Sequence, residues 1–289
     1  MSNFNAYLIN EFQKKSRQTK PRGKKLSKEE AREIIMSKCK KTWRKFLTEQ
    51  WWISRTTHSG RDEYSFMDTT KMPARMSRNT ANYYTHIINK DPSWKGYPRR
   101  QIIGTAGYKF QASSNIYVYF PYDGSKIGIC KDMDIWYSFP NIRDLGLSYA
   151  LSFNEFIERL LGSVMKSIVI DDPEKTYDQT LKIFKSRCKQ FDWWFNGGDN
   201  EDKEMVKAMN RGMFESYRKT SSTARIFFKK YYKDDLYKAV LKVYSTDGFR
   251  LMESGKGNMD ISKNNEVWFD SPCVVLDSIT AEKFRLLDD

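Results

Sequence analysis

Apolar residues recur with a helical period in six stretches of the chain. In the first, Ser27 and Glu30 match a capping box, in which each side chain binds a backbone N–H at the start of a helix. The same pattern recurs at Ser152 and Glu155, and Asp172-Pro173 supplies a cap and a first-turn proline for the next helix. The predicted helices span residues 27–50, 81–88, 152–168, 173–195, 201–217 and 222–244.

Shorter apolar runs bounded by turn residues predict β-strands on either side of the central helices. The predicted strands span residues 101–105, 116–120, 126–130, 266–269 and 273–276. Residues 54–66 are predicted to form a polar linker. The order of elements predicts an α+β fold. A small sheet would be built from residues 100–130 and 265–277, with a helical block at about 145–245 between its halves.

Positive charge is concentrated near the N-terminus. The chain of 289 residues has a formal net charge of +14, and residues 1–50 contribute +9 of it. Pro21 and Gly23 interrupt any helix there, which predicts an extended basic strap. The basic residues of the strap are Lys14, Lys15, Arg17, Lys20, Arg22, Lys24 and Lys25. We therefore divide the chain into residues 1–60, the strap and an amphipathic helix, and residues 61–289, a domain that contains the helical block.

The strap suits contact with a phosphate backbone, because each neutralised phosphate releases a counterion. A nucleic acid is therefore the predicted partner; a docking or regulatory segment, or a solvated segment without a partner, is the alternative. No apolar run reaches the roughly 18 residues that a membrane-spanning helix needs. The N-terminus also lacks the apolar segment of a signal peptide. We expect no membrane partner and a cytoplasmic location.

Cysteine and histidine are too scarce for the commonest metal and nucleophile chemistry. The four cysteines form no Cys-x-x-Cys pair, and the two histidines are His58 and His86. Neither a zinc ribbon nor a disulfide framework is indicated. We expect no metal, and chemistry that uses carboxylate, guanidinium and hydroxyl groups.

Three separated segments place such groups at the ends of predicted elements. Ser77-Arg78-Asn79-Thr80 puts a guanidinium at the start of a helix, a position that suits an anion. Arg100 precedes a strand that ends at Thr105, and Asn264 lies two residues before Glu266 in a late strand. Each segment alone is more typical of a surface position, so the indication of a site comes from their order along the chain.

This order resembles that of the mono-ADP-ribosyltransferase superfamily, and in particular a group of phage-borne and anti-phage proteins. That group shares a Ser/Asp-Arg-Thr-x-x-Thr helix start, an Arg-x-x-x-Phe-x-Thr strand, a Tyr-x-x-Phe-Pro strand and a late Glu-(Val/Ile)-Met segment. The matching segments here run from Ser77 to Thr80, Arg100 to Thr105, Tyr117 to Pro121 and Glu266 to Trp268. The resemblance implies an ADP-ribosyltransferase-like small split β-sheet core, with a large helical insertion and a basic helical N-terminal extension.

The resemblance also implies NAD as co-substrate, bound in a cleft between two small sheets. Arg78, with Ser77 beside it, would hold the ribose or pyrophosphate, and Arg100 would be a second grip on the anion. Thr105 would stand where the family has a Ser-Thr-Ser turn; here the turn reads Gly-Thr-Ala, a departure from the pattern. Glu266 would be the catalytic carboxylate.

Two features bear on ligand and target. Tyr83, Tyr84 or Tyr117 would stack on nicotinamide, and the sequence leaves the choice open, although Tyr117 belongs to a matching segment. Arginine-modifying members of the family carry a glutamate where this chain has Asn264. An amide at this position occurs in members that modify nucleic-acid bases or non-arginine side chains, so Asn264 would help to select the acceptor.

The expected function is therefore NAD-dependent mono-ADP-ribosylation of a nucleic acid, RNA more than DNA, by a toxin or phage-conflict effector. An antitoxin or chaperone would be a further partner. Two alternatives remain: the same transfer to a protein acceptor, and a nucleic-acid-binding protein without enzymatic activity.

Overall fold

The computed structural model describes residues 23–49, 52–56, 62–69, 72, 83–107, 116–162, 177–256 and 264–288. Ten α-helices lie in those ranges. They are α1 (Lys28–Lys38), α2 (Lys40–Glu49), α3 (Tyr83–Lys90), α4 (Pro140–Asp144), α5 (Ala150–Gly162), α6 (Tyr177–Phe195), α7 (Lys203–Ser216), α8 (Ser221–Ile226), α9 (Leu236–Val243) and α10 (Ser278–Asp288). The capping box predicted at Ser27 is present, with hydrogen bonds in both directions between Ser27 and Glu30.

Nine strands in the same ranges form one sheet. They are β1 (Lys24–Lys25), β2 (Trp52–Thr56), β3 (Tyr64–Met67), β4 (Ile102–Gly107), β5 (Ile116–Pro121), β6 (Lys126–Cys130), β7 (Phe249–Glu253), β8 (Asn265–Phe269) and β9 (Cys273–Asp277). Their order across the sheet is β1-β3-β9-β5-β2-β4-β8-β6-β7, and neighbours are antiparallel. The predicted α+β class is confirmed.

The sheet curls, so that its inner face encloses a core of its own. Tyr119 on β5 and Phe269 on β8 are three strand spacings apart, which is about 14 Å in a flat sheet. Their ring centroids are nevertheless 6.4 Å apart. Ile53, Ile102 and Val275 are buried in the same cluster.

Helices cover the outer face of β5 and β9. Trp43 and Phe46 of α2 pack against Phe120 of β5, with ring centroids 5.2 and 5.4 Å apart, respectively. Leu276 of β9 and Phe284 of α10 belong to the same buried cluster. The N-terminal helices therefore bury their apolar stripe on the sheet.

The central helices cover a second outer face, that of β4 and β8. Ile103 and Trp268 are buried among apolar side chains of these helices. Because successive side chains of a strand alternate between faces, Thr105 and Glu266 lie on the same face as Ile103 and Trp268. Thr105 is nevertheless exposed. The helical cover therefore ends beside this residue pair.

Two strands occupy the stretch that was predicted to be a linker. Residues 54–66 contain most of β2 and β3, so that prediction is wrong. β2 lies between β4 and β5 near the middle of the sheet. Three consecutive polar residues, Ser54, Arg55 and Thr56, follow Ile53 there, so β2 lacks the alternation that would have predicted a strand.

Three predicted helix boundaries also differ from the structure. The N-terminal helix breaks at Cys39, because Asp123 in the β5–β6 turn accepts hydrogen bonds from the Lys41 and Thr42 N–H groups (2.9 and 3.0 Å) and so caps α2. The helix predicted over 222–244 is interrupted by a π-turn at Phe227–Tyr231 and by Asp234, whose φ is 59°. Helix α5 begins at Ala150, so Ser152 is not its cap.

Candidate active site

A cleft of about 340 Å³ opens beside the exposed end of the β4–β8 ladder. The residues that line it come from β2, β4, the segment before β4, β8, α3 and the loop after β6. They are Arg55, Tyr84, Arg100, Ile103, Gly104, Thr105, Met133, Asp134, Trp136 and Glu266. Arg100, Thr105 and Glu266 were predicted site residues, and the structure brings all three together.

Backbone pairing sets the positions of Thr105 and Glu266. The two residues are direct partners in the antiparallel β4–β8 ladder. The preceding residue, Asn265, holds the start of β8 against the end of β6, because its side-chain amide donates to the Cys130 and Lys131 carbonyls (2.8 and 2.9 Å). Asn265 thus explains why the carboxylate of Glu266 is held at the mouth of the ladder.

A buried ion pair joins Arg100 to Glu266. An Nη of Arg100 donates to Glu266 Oε1, and only 5% and 10% of the two side chains are exposed. Glu266 Oε2 accepts a long hydrogen bond from Ile135 N–H (3.4 Å). The Arg100 guanidinium lies 5.6 Å from the centre of the Tyr84 ring, and its backbone N–H donates to Asn89 (2.5 Å). A hydrogen bond to Glu266 therefore positions the Arg100 guanidinium, and a hydrogen bond to Asn89 positions its backbone.

The carboxylate of Glu266 shifts the pKa values of Arg100 and of Cys130. Burial by itself lowers the pKa of Arg100, but the adjacent carboxylate of Glu266 outweighs burial and raises the pKa above its ordinary value. Burial, with the negative charge of Glu266, raises the pKa of the Cys130 thiol well above its ordinary value. Cys130 therefore remains a protonated thiol beside the site, and not a nucleophile.

Arg55 is one of the cleft residues that the sequence did not reveal, with Met133, Asp134 and Trp136. It extends from β2, is half-buried, and donates to the Ile103 carbonyl from Nη1 (3.3 Å). Its strand lies directly beside β4, so a second guanidinium reaches the Thr105 side of the cleft. Trp52, Ile53 and Thr56 are residue types enriched in strands, and they are the signal that could have identified β2.

The loop after β6 forms the opposite wall. Asp134 caps a short 3₁₀ turn, Ile135–Tyr137, by accepting from Trp136 N–H (2.8 Å). The indole Nε1–H of Trp136 donates to the Tyr84 hydroxyl (2.8 Å). Hydrogen bonds join Trp136 both to Tyr84 of α3 and to Asp134 of its own turn. The Trp136 ring therefore has a defined position in this wall.

The remaining predicted cleft residues have different outcomes. Ser77 and Arg78 lie outside the described residues. Tyr117 is buried on β5 among the inner side chains of the curled sheet and is not among the residues that line the cleft. β2 and β4 separate β5 from Glu266. Of the three tyrosines that the sequence left open, Tyr84 lines the cleft, whereas Tyr83 packs against Phe184.

Of the residues predicted to contact nucleic acid or to select the acceptor, the three that lie in the described part of the chain do not line the cleft. Asn264 is exposed, immediately before β8. Lys24 and Lys25 are exposed on β1, where they form ion pairs with Glu30 and Asp62 at 3.8 and 3.7 Å. β1 is an edge strand, six places from β8. The other strap residues, Lys14, Lys15, Arg17, Lys20 and Arg22, lie outside the described residues.

Two properties of the described part of the chain concern metal ions and membranes. Within it, no group of three or more His, Cys, Asp or Glu side chains is arranged to hold a metal ion. None of its helices combines the length and apolar character required to cross a membrane.

Comparison of this chain with protein-family models, with curated proteins and with solved structures finds no significant match. The sequence resemblance to the mono-ADP-ribosyltransferases therefore stands on the motifs alone. The division of the chain at residue 60 also stays a prediction.

Proposed function

We propose that this protein is a NAD-dependent mono-ADP-ribosyltransferase whose active site is the cleft at the β4–β8 ladder. The observation that supports the proposal is the meeting of Glu266 and Thr105 with two guanidinium groups, those of Arg55 and Arg100, around one opening. These residues come from three adjacent strands and from the segment before β4. Independently of this geometry, the order of motifs in the sequence indicates NAD as the ligand of the cleft.

The cleft offers groups that fit a dinucleotide. Its volume lies at the small end of the 300–1,000 Å³ that is typical of ligand pockets, which suits the nicotinamide–ribose half of NAD. Arg55 lines the cleft and is half-buried, so it would supply a cation for the pyrophosphate.

The reaction needs one carboxylate and no metal. The bond between nicotinamide N1 and ribose C1′ breaks, and its electron pair leaves with the nicotinamide. The ribose then carries positive charge, as in glycoside hydrolysis. Glu266 stabilises that charge and binds the 2′-hydroxyl. A nucleophile of the acceptor forms the new bond to C1′, and its proton passes to Glu266 or to water.

The acceptor in this proposal is a nucleic acid, RNA in preference to DNA, and the cellular role is that of a toxin or phage-conflict effector. The +9 charge of residues 1–50 and the amide at Asn264 support that choice over a protein acceptor. An antitoxin or chaperone would then bind the protein until it is needed.

The test uses NAD labelled on its adenylate phosphate, incubated with the protein and a cell lysate. Label that ribonuclease releases supports an RNA acceptor, whereas label that only protease releases identifies a protein acceptor. We expect Glu266→Gln to lower transfer about a hundredfold to a thousandfold, because it removes charge stabilisation in the transition state.

Glu204→Gln is the matched control, since Glu204 is exposed on α7, far from the cleft in the helical block. It should transfer label as the unaltered protein does, and circular dichroism should show both variants folded at the assay temperature. If neither transfer nor hydrolysis of NAD occurs, or if Glu266→Gln retains full activity, the enzymatic proposal is wrong.

A further inference from the structure

A row of partly exposed aromatic rings continues outward from the cleft. Trp136, Tyr137 and Tyr149 form what we name the aromatic rim. The Trp136 and Tyr149 rings are stacked, with centroids 6.5 Å apart and planes inclined by 24°. Tyr137 contacts Tyr149 edge to face at 6.1 Å. Because Trp136 also lines the cleft, the rim and the cleft are one continuous surface.

The aromatic rim is more exposed than the rings packed inside the helical block. Tyr137 is 46% exposed, Trp136 and Tyr149 are half-buried, and the neighbouring Met133 is 69% exposed. By contrast, rings such as Phe139 and Phe153 in the helical block are buried. Folding alone does not require apolar rings at the mouth of a cleft, and an exposed apolar patch commonly marks a binding surface.

The rim is held in place before any ligand arrives. Trp136 donates to Tyr84 through its indole N–H and to Asp134 through its backbone N–H, both at 2.8 Å. A ring that is already ordered loses little conformational entropy when another ring stacks on it. The rim is therefore suited to bind a flat ligand.

Charged side chains accompany these rings. Lys131 is exposed at the start of the same loop. Arg143 is exposed beside the rim, where its Nη2 forms a salt bridge with Asp132 (3.4 Å) and lies 3.5 Å from the Tyr137 carbonyl. Aromatic rings interleaved with cations are the arrangement by which proteins bind single-stranded nucleic acid, in which bases stack on the rings and phosphates meet the cations. A duplex hides its base faces and does not fit this arrangement.

We propose that the aromatic rim binds an unpaired base of a single-stranded nucleic acid and presents that strand to the cleft as the acceptor. The presentation of an acceptor rests on the proposed function, whereas the binding of the strand does not. In the combined reaction a nucleophilic atom of the strand bonds to ribose C1′, nicotinamide leaves with the electron pair of the broken bond, and the acceptor proton passes to Glu266 or water.

The test measures binding without NAD. A fluorescein-labelled single-stranded RNA of twelve nucleotides is titrated with the Glu266→Gln protein, so that no transfer occurs, and fluorescence anisotropy gives the Kd. We expect Tyr137→Ala and Tyr149→Ala each to weaken binding about tenfold, because one stacked base contributes about 1–3 kcal/mol. Tyr137→Phe should restore the affinity, since it keeps the ring.

Tyr217→Ala is the matched control, because Tyr217 is as exposed as Tyr137 but lies after α7 in the helical block. It should leave the Kd unchanged, and the duplex form of the same RNA should bind more weakly than the single strand. These results support the rim whether or not the protein cleaves NAD.

Three outcomes would overturn the proposal. The first is an unchanged Kd in both rim variants, and the second is an equal loss in Tyr217→Ala. The third is a raised KM for NAD in its hydrolysis together with an unchanged RNA affinity, which would assign the rim to the dinucleotide. Loss of NAD cleavage alone would contradict the proposed function and leave the binding result intact.

Discussion

Arg99 and Arg100 are adjacent in the chain, and both pair with carboxylates of the β8 segment, yet the two pairs have opposite surroundings. Arg99 binds Asp270 through two hydrogen bonds (2.5 and 3.2 Å), with 40% of the arginine side chain and 16% of the aspartate side chain exposed. The Arg100–Glu266 pair is almost wholly buried beside the cleft. The backbone bends at Arg100, where the Gln101 N–H donates to the Arg99 carbonyl (2.9 Å), and the two guanidinium groups reach different carboxylates.

The difference separates two uses of the same chemistry. A surface pair gains little energy and tolerates change. A buried pair must offset the loss of hydration of two charges, so it is a poor means of stabilising a fold. The presence of the buried Arg100–Glu266 pair at the wall of the cleft is therefore better explained by a function of its two charges than by the stability of the fold. Removing one partner from each ion pair tests this contrast. The half-buried carboxylate of Asp192 in α6 provides an intermediate case.

The largest effect is expected from Arg100→Ala. This change leaves the Glu266 carboxylate buried without its cation, so we expect the free energy of unfolding to fall by about 3–5 kcal/mol. Urea denaturation followed by circular dichroism measures the loss.

The double replacement Arg100→Met with Glu266→Leu is the corresponding control. Removing both charges together should recover most of the stability while abolishing transfer to the acceptor. If the single variant loses less than about 1 kcal/mol, the pair is hydrated in solution and its burial does not distinguish it from the Arg99 pair.

An intermediate effect is expected at Asp192 of α6, which accepts from the Tyr232 hydroxyl and the Leu236 N–H (3.0 and 2.9 Å). Burial raises the pKa of Asp192 to about 6. The folded protein therefore binds this proton more tightly than the unfolded chain does, and stability rises as pH falls from 7 through 6. The gain between pH 7 and pH 5 should be about 1 kcal/mol after allowance for solvent screening.

Asp192→Asn removes the titrating group but keeps an oxygen acceptor, so it should abolish that gain. Urea midpoints of both proteins at pH 5 and pH 7 make the comparison. A gain that persists in Asp192→Asn would assign the pH dependence to another group.

The smallest effect is expected from Arg99→Ala. Because the pair with Asp270 is partly hydrated, we expect a loss of only about 0.5 kcal/mol, and less at high salt. Denaturation at two salt concentrations, with Arg100→Ala in parallel, gives the contrast directly. A loss above about 2 kcal/mol at Arg99 would mean that exposure does not separate the two pairs.

Local patterns predicted the parts of the fold that local interactions create. The capping box at Ser27 and the strand at Lys126–Cys130 were found where the sequence placed them. The resemblance of the motif order to that of the mono-ADP-ribosyltransferases also predicted that Arg100, Thr105 and Glu266 belong to one site, and the three residues line one cleft.

Other features depend on partners that are distant in the chain. Arg55 was missed because β2 gains its hydrogen bonds from β4 and β5 and shows little periodicity of its own. The break at Cys39 depends on Asp123, more than eighty positions later. Tyr117 was assigned to the ligand because a motif gives the order of strands along the chain but not their order across the sheet.

The contact between Glu266 and the Ile135 N–H joins residues 131 positions apart. In the order of synthesis, the arginines, the threonine and the aromatic wall all precede the carboxylate by more than a hundred residues. A growing chain therefore acquires its ligand-binding groups first and its proposed reactive group last. If the proposed function is correct, a ribosome that carries this unfinished protein is protected from it by the sequence order alone.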